Sequence, residues 1–511
     1  MTLRSFIARI YVIALVLRLI PAFLAGGLGI GLDDMFQYDM LARSLASGNG
    51  YRWYARADLN QLAAYVNFDL DSVKGYDPIR GISTSFRAPV YPAFLAVIYS
   101  ISGTGLSRFF AARLAQAILL GAPLAPLTYL VAQRLFPLSS FGDEERRKKK
   151  EKAARIAAWI VACYPMLLVY PLGLGTENPF FLLLLASVYF LLKSVENCRA
   201  SRGLGFSRPG SQDTLPLNNN IFPLVWAGLL LGLTTLTRSV ILPFTGLAFL
   251  WLLYATGKRS FIFLLTFLLV LTPWIVRNSL LHERLTSVET SMGYNLYLGY
   301  HPEGNGSFVF GPSLDLVSIL DDSVRDQIGT KKAMEFISDA PERVLPLAVN
   351  RLGFFFGLEK RVLMYFYSNN LLGYIPLPLL LTISVIFLLP FVLICVSAAM
   401  ALPGLRWNAQ TALLSLLLIS YLLPHVFILS EDRFHLALVP YIAILAAQFW
   451  TRGFLPFVER WQSSNAGRWV VALSVLIALL LLFNWGAELT RDADKIAALL
   501  GPGGNATHFP Y

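Results

Sequence analysis

Long apolar runs recur along this 511-residue chain, and few folds can accommodate them. A helix needs about 20 apolar residues to cross the hydrocarbon core of a bilayer. Runs of this kind lie at residues 6–27, 107–136, 156–173, 178–194, 221–236, 239–256, 261–279, 374–400, 410–429, 434–450 and 469–487. Hydrophobic residues make up 56% of the chain and charged residues 14%, which excludes an ordinary soluble domain. The sequence therefore predicts an all-α polytopic membrane protein with about 11 transmembrane helices.

One further apolar stretch, Val90 to Ile101, decides the orientation of the chain. If it crossed the membrane, the basic cluster Arg146 to Lys150 would lie outside the cell, against the preference of basic loops for the cytoplasm. We therefore expect an interfacial helix there, a cytoplasmic amino terminus and an external carboxyl terminus. Residues 28–106 then form a first external loop with interfacial helices, and residues 280–373 form a second. All 511 residues are predicted to form a single membrane domain.

The net charge of +11 does not indicate nucleic-acid binding, because the basic residues crowd into short loops where membrane orientation explains them. The glycine-rich segment Gly26 to Gly31 follows a spanning helix and not a strand, so it does not predict a dinucleotide site. The three cysteines lie far apart without the spacing of a metal site. No cofactor is expected, and nucleic acid is not an expected partner.

Two adjacent carboxylates, Asp33 and Asp34, stand just beyond the first apolar run. Aromatic and cationic residues anchor helix ends better than acids do, whereas an enzyme that deprotonates an acceptor beside the bilayer needs a carboxylate. The pair therefore indicates catalysis, with solvated loop acids as the alternative.

Ionisable residues also occur in or near the apolar runs, where each is costly unless it faces a partner or a polar cavity. Those predicted toward the outer face are Arg113, Glu177, Arg238, Arg277 and the group Glu431-Asp432-Arg433, and Arg18 is predicted mid-span. A single arginine at a helix end can simply extend its side chain to the interface. Several on the side of Asp33 and Asp34 favour a cavity in which arginines hold a phosphate or pyrophosphate.

Several motifs match one known family. They are Asp34-Met-Phe-Gln-Tyr38, Leu41 to Tyr51, Phe86-Arg-Ala-Pro-Val-Tyr-Pro-Ala-Phe-Leu95, Thr176-Glu177, Gly228 to Arg238, Pro273-Trp-Ile-Val-Arg-Asn278, Asn295-Leu-Tyr-Leu-Gly299 and, more weakly, Arg433 to Pro440. Together they resemble the GT-C superfamily of glycosyltransferases, especially relatives of the dolichyl-phosphate-mannose protein mannosyltransferases and of the aminoarabinose transferase. Ala88-Pro89 replaces the commoner double proline, and Tyr51 to Asp77 is longer and more polar than in the family.

The resemblance implies a cell-membrane glycosyltransferase of envelope glycosylation, with its active site on the extracytoplasmic side. It would transfer a hexosyl or pentosyl group with inversion from a polyprenyl-phosphate donor, such as undecaprenyl or dolichyl phosphate, to a protein, lipid or glycan. Asp34 matches the family's catalytic base and Asp33 is the second candidate. Glu177 would orient the acceptor or the base, or else cap a helix. The predicted donor-phosphate ligands are Arg277, Arg433, Arg18 and His435.

Two other functions remain open. Oligosaccharyltransferase relatives and glycan ligases take a lipid-pyrophosphate donor, and the oligosaccharyltransferases use a divalent ion. The scattered acids of this chain offer no compact set of oxygen ligands, so no required metal is expected. A flippase for lipid-linked sugars would also need many helices and arginines, but it would not need a carboxylate at one surface.

Overall fold

A computed structural model describes residues 3–68, 70, 73, 75–136, 144–202, 220–368, 370 and 373–507, without the side chains of 197–202, 362 and 365. Helices dominate this part of the chain, and its strands are limited to one short antiparallel pair. The all-α class predicted from the apolar runs is therefore confirmed.

The membrane domain combines long apolar helices with shorter ones. They are α1 (Leu3–Leu24), α5 (Ser107–Ala115), α6 (Leu124–Leu135), α7 (Glu144–Cys163), α8 (Pro165–Val169), α9 (Glu177–Arg202), α10 (Phe222–Thr235), α11 (Leu242–Thr256), α12 (Ser260–Leu281), α18 (Leu377–Met400), α19 (Ala409–Phe427), α20 (Val439–Arg452), α21 (Leu455–Ser463), α22 (Asn465–Arg491) and α23 (Ala493–Leu500). Among the described residues, 8 helical segments are long and apolar enough to cross a membrane, or 9 if α7 and the segment 165–172, bent by 52°, form one span.

The count of 8 or 9 candidate spans does not establish the 11 spans predicted from the sequence. Two of the differences between the predicted runs and the observed helices have physical causes. The segment 239–281 counts as one candidate of 43 residues, which as a straight helix would be about 65 Å long, twice the ~30 Å of a bilayer core. Gly257, with φ of +64°, breaks it into α11 and α12. Conversely, α10 has only 14 residues, fewer than a straight span needs.

The region predicted to be the first external loop, called the first external region below, carries α2 (Asp34–Ala46), α3 (Arg56–Leu62) and α4 (Val90–Ser102), with β1 (Arg52–Trp53) paired to β2 (Ile82–Ser83). Arg52 faces Ser83 and Trp53 faces Ile82 across the antiparallel pair. The 13 residues of α4 span only about 20 Å, too short to cross a bilayer. Tyr91 and Leu95 of α4 are buried in one apolar cluster with Tyr38 and Ala42 of α2. This packing fixes the start of α2 beside the membrane helices.

The region predicted to be the second external loop, called the second external region below, is a set of short helices. They are α13 (Met292–Tyr300), α14 (Phe310–Leu314), α15 (Asp322–Asp339), α16 (Val344–Phe355) and α17 (Arg361–Leu363). Asp321 caps α15 by accepting from the backbone of Ser323 and Val324, and Asp326 accepts from the backbone of Gly293 at 2.6 Å. Arg343 donates to three backbone carbonyls between residues 301 and 304. The region is therefore held together by polar contacts as well as by packing.

The main apolar core lies between the membrane helices. In an apolar 18-residue stretch of the segment 432–452, which contains α20, 83% of the residues are buried, whereas in such a stretch of the segment 465–491 only 22% are buried. Consequently α20 is central and α22 is peripheral. The residues just before α20 enter the core from one end, and they carry three of the charged groups described below.

Candidate active site

A cavity of about 950 Å³ lies where the two external regions meet the ends of the membrane helices. Most of its walls are apolar, but its charged lining comes from eight distant parts of the chain. These residues are Asp33 and Asp34, Arg87, Arg113, Glu177, Arg238, Glu289, Glu359 and Arg361, and Glu431, Asp432 and Arg433. The cavity combines a charged cluster with a large apolar surface, as a site for an amphiphilic ligand requires.

Asp34, in the first turn of α2, is held by two arginines. Arg87 Nη2 donates to Asp34 Oδ1, and Arg433 Nη2 donates to Asp34 Oδ2 at 3.2 Å. Arg87 is itself fixed by Gln37, whose Oε1 lies 2.8 Å from its Nε. Burial alone would raise the pKa of Asp34, but the charges of Arg87, Arg433 and Arg238 outweigh it and hold that pKa well below the usual range. Asp34 is therefore a carboxylate at neutral pH.

Arg433 is the centre of the charged cluster, because three carboxylates surround it. Besides Asp34, Glu431 Oε2 lies 2.9 Å and Glu177 Oε1 lies 3.7 Å from Arg433 Nε. Arg433 comes from the turn before α20, Glu177 begins α9 and Asp34 begins α2. One guanidinium therefore links three separate elements at the cavity wall.

Two more arginines complete the cluster. Arg238 Nη1 lies 2.7 Å from Glu177 Oε1, and Arg361 Nη1 donates to Glu431 Oε2 at 2.8 Å. Arg361 Nε also lies 3.6 Å from Asp432 Oδ1. The side chains of Glu177 and Glu431 are 5% exposed, whereas that of Arg361 is 34% exposed. Glu177 and Glu431 are therefore buried counter-ions, and Arg361 presents its charge to the cavity.

The cluster can perform two kinds of chemistry. Its arginines offer forked donors that suit a phosphate, and Asp34, with 34% of its side chain exposed, can take a proton from a bound hydroxyl. Because Asp34, Glu177, Glu431 and Asp432 each already face an arginine, these four acids do not form a cage for a cation. Among the described residues, no group of three or more His, Cys, Asp or Glu side chains could hold a metal. Independence from metal stays a prediction.

Asp33 lines the same cavity but plays a different local role from Asp34. Its side chain caps α2 by accepting from the backbone N–H of Met35 at 2.9 Å. Burial, and then the charge of Asp34, raise its pKa. The geometry thus distinguishes the two carboxylates that the sequence left as alternatives.

A substitution pair tests this distinction. Asp33→Ala removes the cap and destabilises the first turn of α2 by about 1 kcal/mol, whereas Asp33→Asn retains a capping oxygen and changes stability by a few tenths of a kcal/mol at most. Amide hydrogen exchange in α2, measured beside the transfer rate, checks this expectation. Loss of all transfer in Asp33→Asn, with normal exchange in α2, would show instead that Asp33 takes the proton.

Of the four predicted phosphate ligands, the structure brings only Arg433 into the lining of the cavity. Arg277 donates to the backbone of Thr84 at 2.5 Å, and its guanidinium packs against the ring of Trp274. Arg18 is fully buried and donates to carbonyls of its own helix and of α7. His435 is also buried, with Nδ1 2.7 Å from the carbonyl of Phe355. These three side chains are occupied by structural contacts.

Several residues of the charged cluster have no individual role predicted from the sequence. Arg87 lies inside the motif Phe86 to Leu95, and Arg238, Glu431 and Asp432 are predicted at the outer face. The sequence therefore contained information that could have assigned these residues to the site. Arg361 had no such signal, because it lies in a loop where arginine is ordinary. Only the contact with Glu431 reveals its place in the site.

A scan of the sequence against models of protein families finds no match, and a search of curated proteins finds no relative. Solved structures do match. An oligosaccharyltransferase from Archaeoglobus fulgidus in complex with zinc and sulfate has a TM-score of 0.40 and 15% identity, over 97% of this chain and 53% of that one. ArnT from Cupriavidus metallidurans bound to undecaprenyl phosphate has a TM-score of 0.40 and 14% identity, over 97% of this chain and 74% of that one. This chain spans about half the length of the first.

Proposed function

We propose that this protein transfers a sugar from a polyprenyl-phosphate carrier to an extracytoplasmic acceptor, with inversion at the anomeric carbon. The observation that carries the proposal is the carboxylate of Asp34 between Arg87 and Arg433 in a large, mainly apolar cavity. This arrangement supports the proposal, because a carboxylate that can accept a proton lies within one hydrogen bond of two guanidinium groups that suit a phosphate. The distribution of basic loops supports an extracytoplasmic site and a cytoplasmic amino terminus.

Asp34 is the general base of the proposed reaction. As the acceptor oxygen forms a bond to the anomeric carbon, the bond from that carbon to the phosphate oxygen breaks and its electron pair leaves with the phosphate. The acceptor proton passes to Asp34 as positive charge develops on the sugar. One displacement of this kind inverts the anomeric configuration.

The phosphate is held by Arg433 and Arg361. A phosphate leaving group is a weak base, so it needs cationic stabilisation more than a proton donor. The Asp34–Arg433 contact is 3.2 Å, longer than the 2.7 Å between Arg238 and Glu177. We therefore expect the phosphate to displace Asp34 from Arg433 when it binds. Asp34 then keeps Arg87 as its partner and turns an oxygen to the acceptor.

The apolar walls of the cavity suit the polyprenyl chain. They include Val169, Leu172, Leu242 and Leu298, which come from both the membrane domain and the second external region. A sugar or a free nucleotide would not require such a surface, whereas an isoprenoid gains about 25 cal/mol for each Å² of apolar surface removed from water. The combination of this surface with the arginines favours a lipid-linked donor.

The purified full-length protein in lipid nanodiscs provides the test. Radiolabelled undecaprenyl-phosphate glucose, mannose, galactose and arabinose are supplied with peptide, lipid and glycan acceptors. We expect release of undecaprenyl phosphate, labelled acceptor in equal amount, and a product of inverted configuration by NMR. Transfer from lipid-pyrophosphate oligosaccharides alone would favour the ligase, and retained configuration would exclude the single displacement. For the flippase alternative, proteoliposomes that move the labelled lipid between leaflets without any transfer would be decisive.

A further inference from the structure

Glu359 is a buried acid at the cavity that the reaction described above does not use. It lies two residues before Arg361, lines the cavity and is 1% exposed. Its Oε1 accepts a hydrogen bond from the hydroxyl of Tyr164 at 2.6 Å and lies 3.0 Å from His435 Nε2. Its Oε2 has no hydrogen-bond partner. Half of this carboxyl group is therefore fixed by the protein, and the other half is unpaired.

An unpaired buried carboxyl oxygen is unusual, because about 90% or more of buried polar atoms in proteins have a hydrogen-bond partner. A second case occurs in the lining of the same cavity. His425 is 5% exposed, its ring stacks on Phe434 at 4.6 Å, and its Nε2 also lacks a partner. A polar group on a molecule bound in this cavity would supply a partner for these two atoms.

The position of Glu359 relative to the phosphate ligands limits what that molecule can be. Arg361 is at most about 7 Å along the chain from Glu359. Two cross-links, Glu359 to His435 and Arg361 to Glu431, join this segment to the turn that carries Arg433. Whatever is attached to a phosphate on Arg361 and Arg433 therefore lies beside Glu359. A polyprenyl-phosphate sugar carries two groups on its phosphate, and only the sugar has hydroxyl groups that can pair with Oε2 of Glu359, because the polyprenyl chain is a hydrocarbon.

We propose that Oε2 of Glu359 hydrogen-bonds a hydroxyl group of the donor sugar and so determines which sugar the protein accepts. The inference rests on the proposed function and adds the part of the donor that this residue recognises.

A hydroxyl group suits Glu359 in either protonation state, because it can both donate and accept. Burial raises the pKa of Glu359, against the hydrogen bonds from His435 and Tyr164. The ionised acid accepts from the sugar hydroxyl, and the neutral acid can donate to it. Sites that hydrogen-bond a substrate hydroxyl reject analogues without it strongly, since the buried polar group is then left unpaired. Glu359 is thus a specificity residue and not a catalytic one.

The test compares binding of bare undecaprenyl phosphate with binding of its glucose, mannose, galactose and arabinose forms to the full-length protein. We expect the wild type to prefer at least one sugar form by about tenfold or more, as one hydrogen bond to a charged group allows. Glu359→Ala loses that preference and still binds the bare carrier within twofold. Tyr164→Phe, which removes only a partner of Oε1, is the matched control and keeps the preference.

The outcomes separate the two proposals. Equal weakening of all ligands in Glu359→Ala, or an unchanged preference, overturns the role of Glu359 and leaves the transferase intact. Equal affinity of the wild type for the bare carrier and for every sugar form likewise overturns the role of Glu359 and leaves the transferase intact. A wild type that binds no undecaprenyl phosphate overturns both. If Glu359→Ala does not fold, Glu359→Gln replaces it, because an amide nitrogen donates where the carboxylate accepts. The ranking of the four sugars then changes, and an unchanged ranking contradicts the inference.

Discussion

Asp34→Asn lowers the rate of sugar transfer by about 10²- to 10⁴-fold, the contribution usual for a general base. An amide cannot take the acceptor proton, while its size leaves the first turn of α2 in place. The same substitution removes the negative charge that holds Arg433 in the ligand-free protein. We therefore expect Asp34→Asn to bind undecaprenyl phosphate as tightly as the wild type or more tightly. Single-turnover transfer and equilibrium binding of the carrier measure the two effects separately.

Asp33→Asn is the matched control for this experiment. It neutralises the neighbouring carboxylate and keeps an oxygen that can cap α2. Transfer in Asp33→Asn should stay close to the wild-type rate. Wild-type turnover in Asp34→Asn would remove Asp34 from the mechanism, and loss of carrier binding in Asp34→Asn would show that the carboxylate acts in organising the cavity.

Arg433→Lys weakens binding of the polyprenyl-phosphate donor by about 10- to 100-fold, the range expected when a hydrogen bond to a charged group is lost. A lysine carries a single point charge and cannot present two donors to a phosphate while it also contacts Glu431 and Glu177. Arg433→Ala has a larger effect. It leaves two buried carboxylates with one arginine partner each, and breaking a buried ion pair costs about 3–5 kcal/mol.

Carrier titration and thermal unfolding in nanodiscs distinguish the two variants. Arg433→Lys should lose affinity with little loss of thermal stability, and Arg433→Ala should lose both. Arg343→Lys serves as control, because Arg343 donates to backbone carbonyls in the second external region and does not line the cavity. Unchanged donor affinity in Arg433→Lys would exclude Arg433 as a phosphate ligand.

The apolar runs sufficed to predict the helical class, because each run reports a local requirement of the bilayer. They were less informative about the number of crossings. Whether a run is one helix or two depends on breaks such as Gly257, whose positive φ is a property of the folded backbone. The bend of 52° between α7 and the following segment is likewise a property of the folded backbone.

The acids of the site were easier to predict than its arginines. A carboxylate at the outer rim is uncommon enough to be a signal, so Asp34, Asp33 and Glu177 were all singled out, and all three line the cavity. An arginine near a helix end is common, and its partner decides its role. Arg277 and Arg18 donate to backbone carbonyls, whereas Arg87 and Arg361 pair with acids of the cavity.

The sequence by itself determined that the protein resides in a membrane, and it located the first catalytic candidate, Asp34. Both follow from local properties of the chain, namely its hydrophobic runs and a short acidic motif. Only the tertiary structure decided which charges meet. Asp34 and Arg433 are 399 residues apart in the chain, and Asp34 and Arg87 are 53 apart. An ion pair depends on the distance between two charges in space, and that distance is set by the packing of helices from opposite ends of the chain.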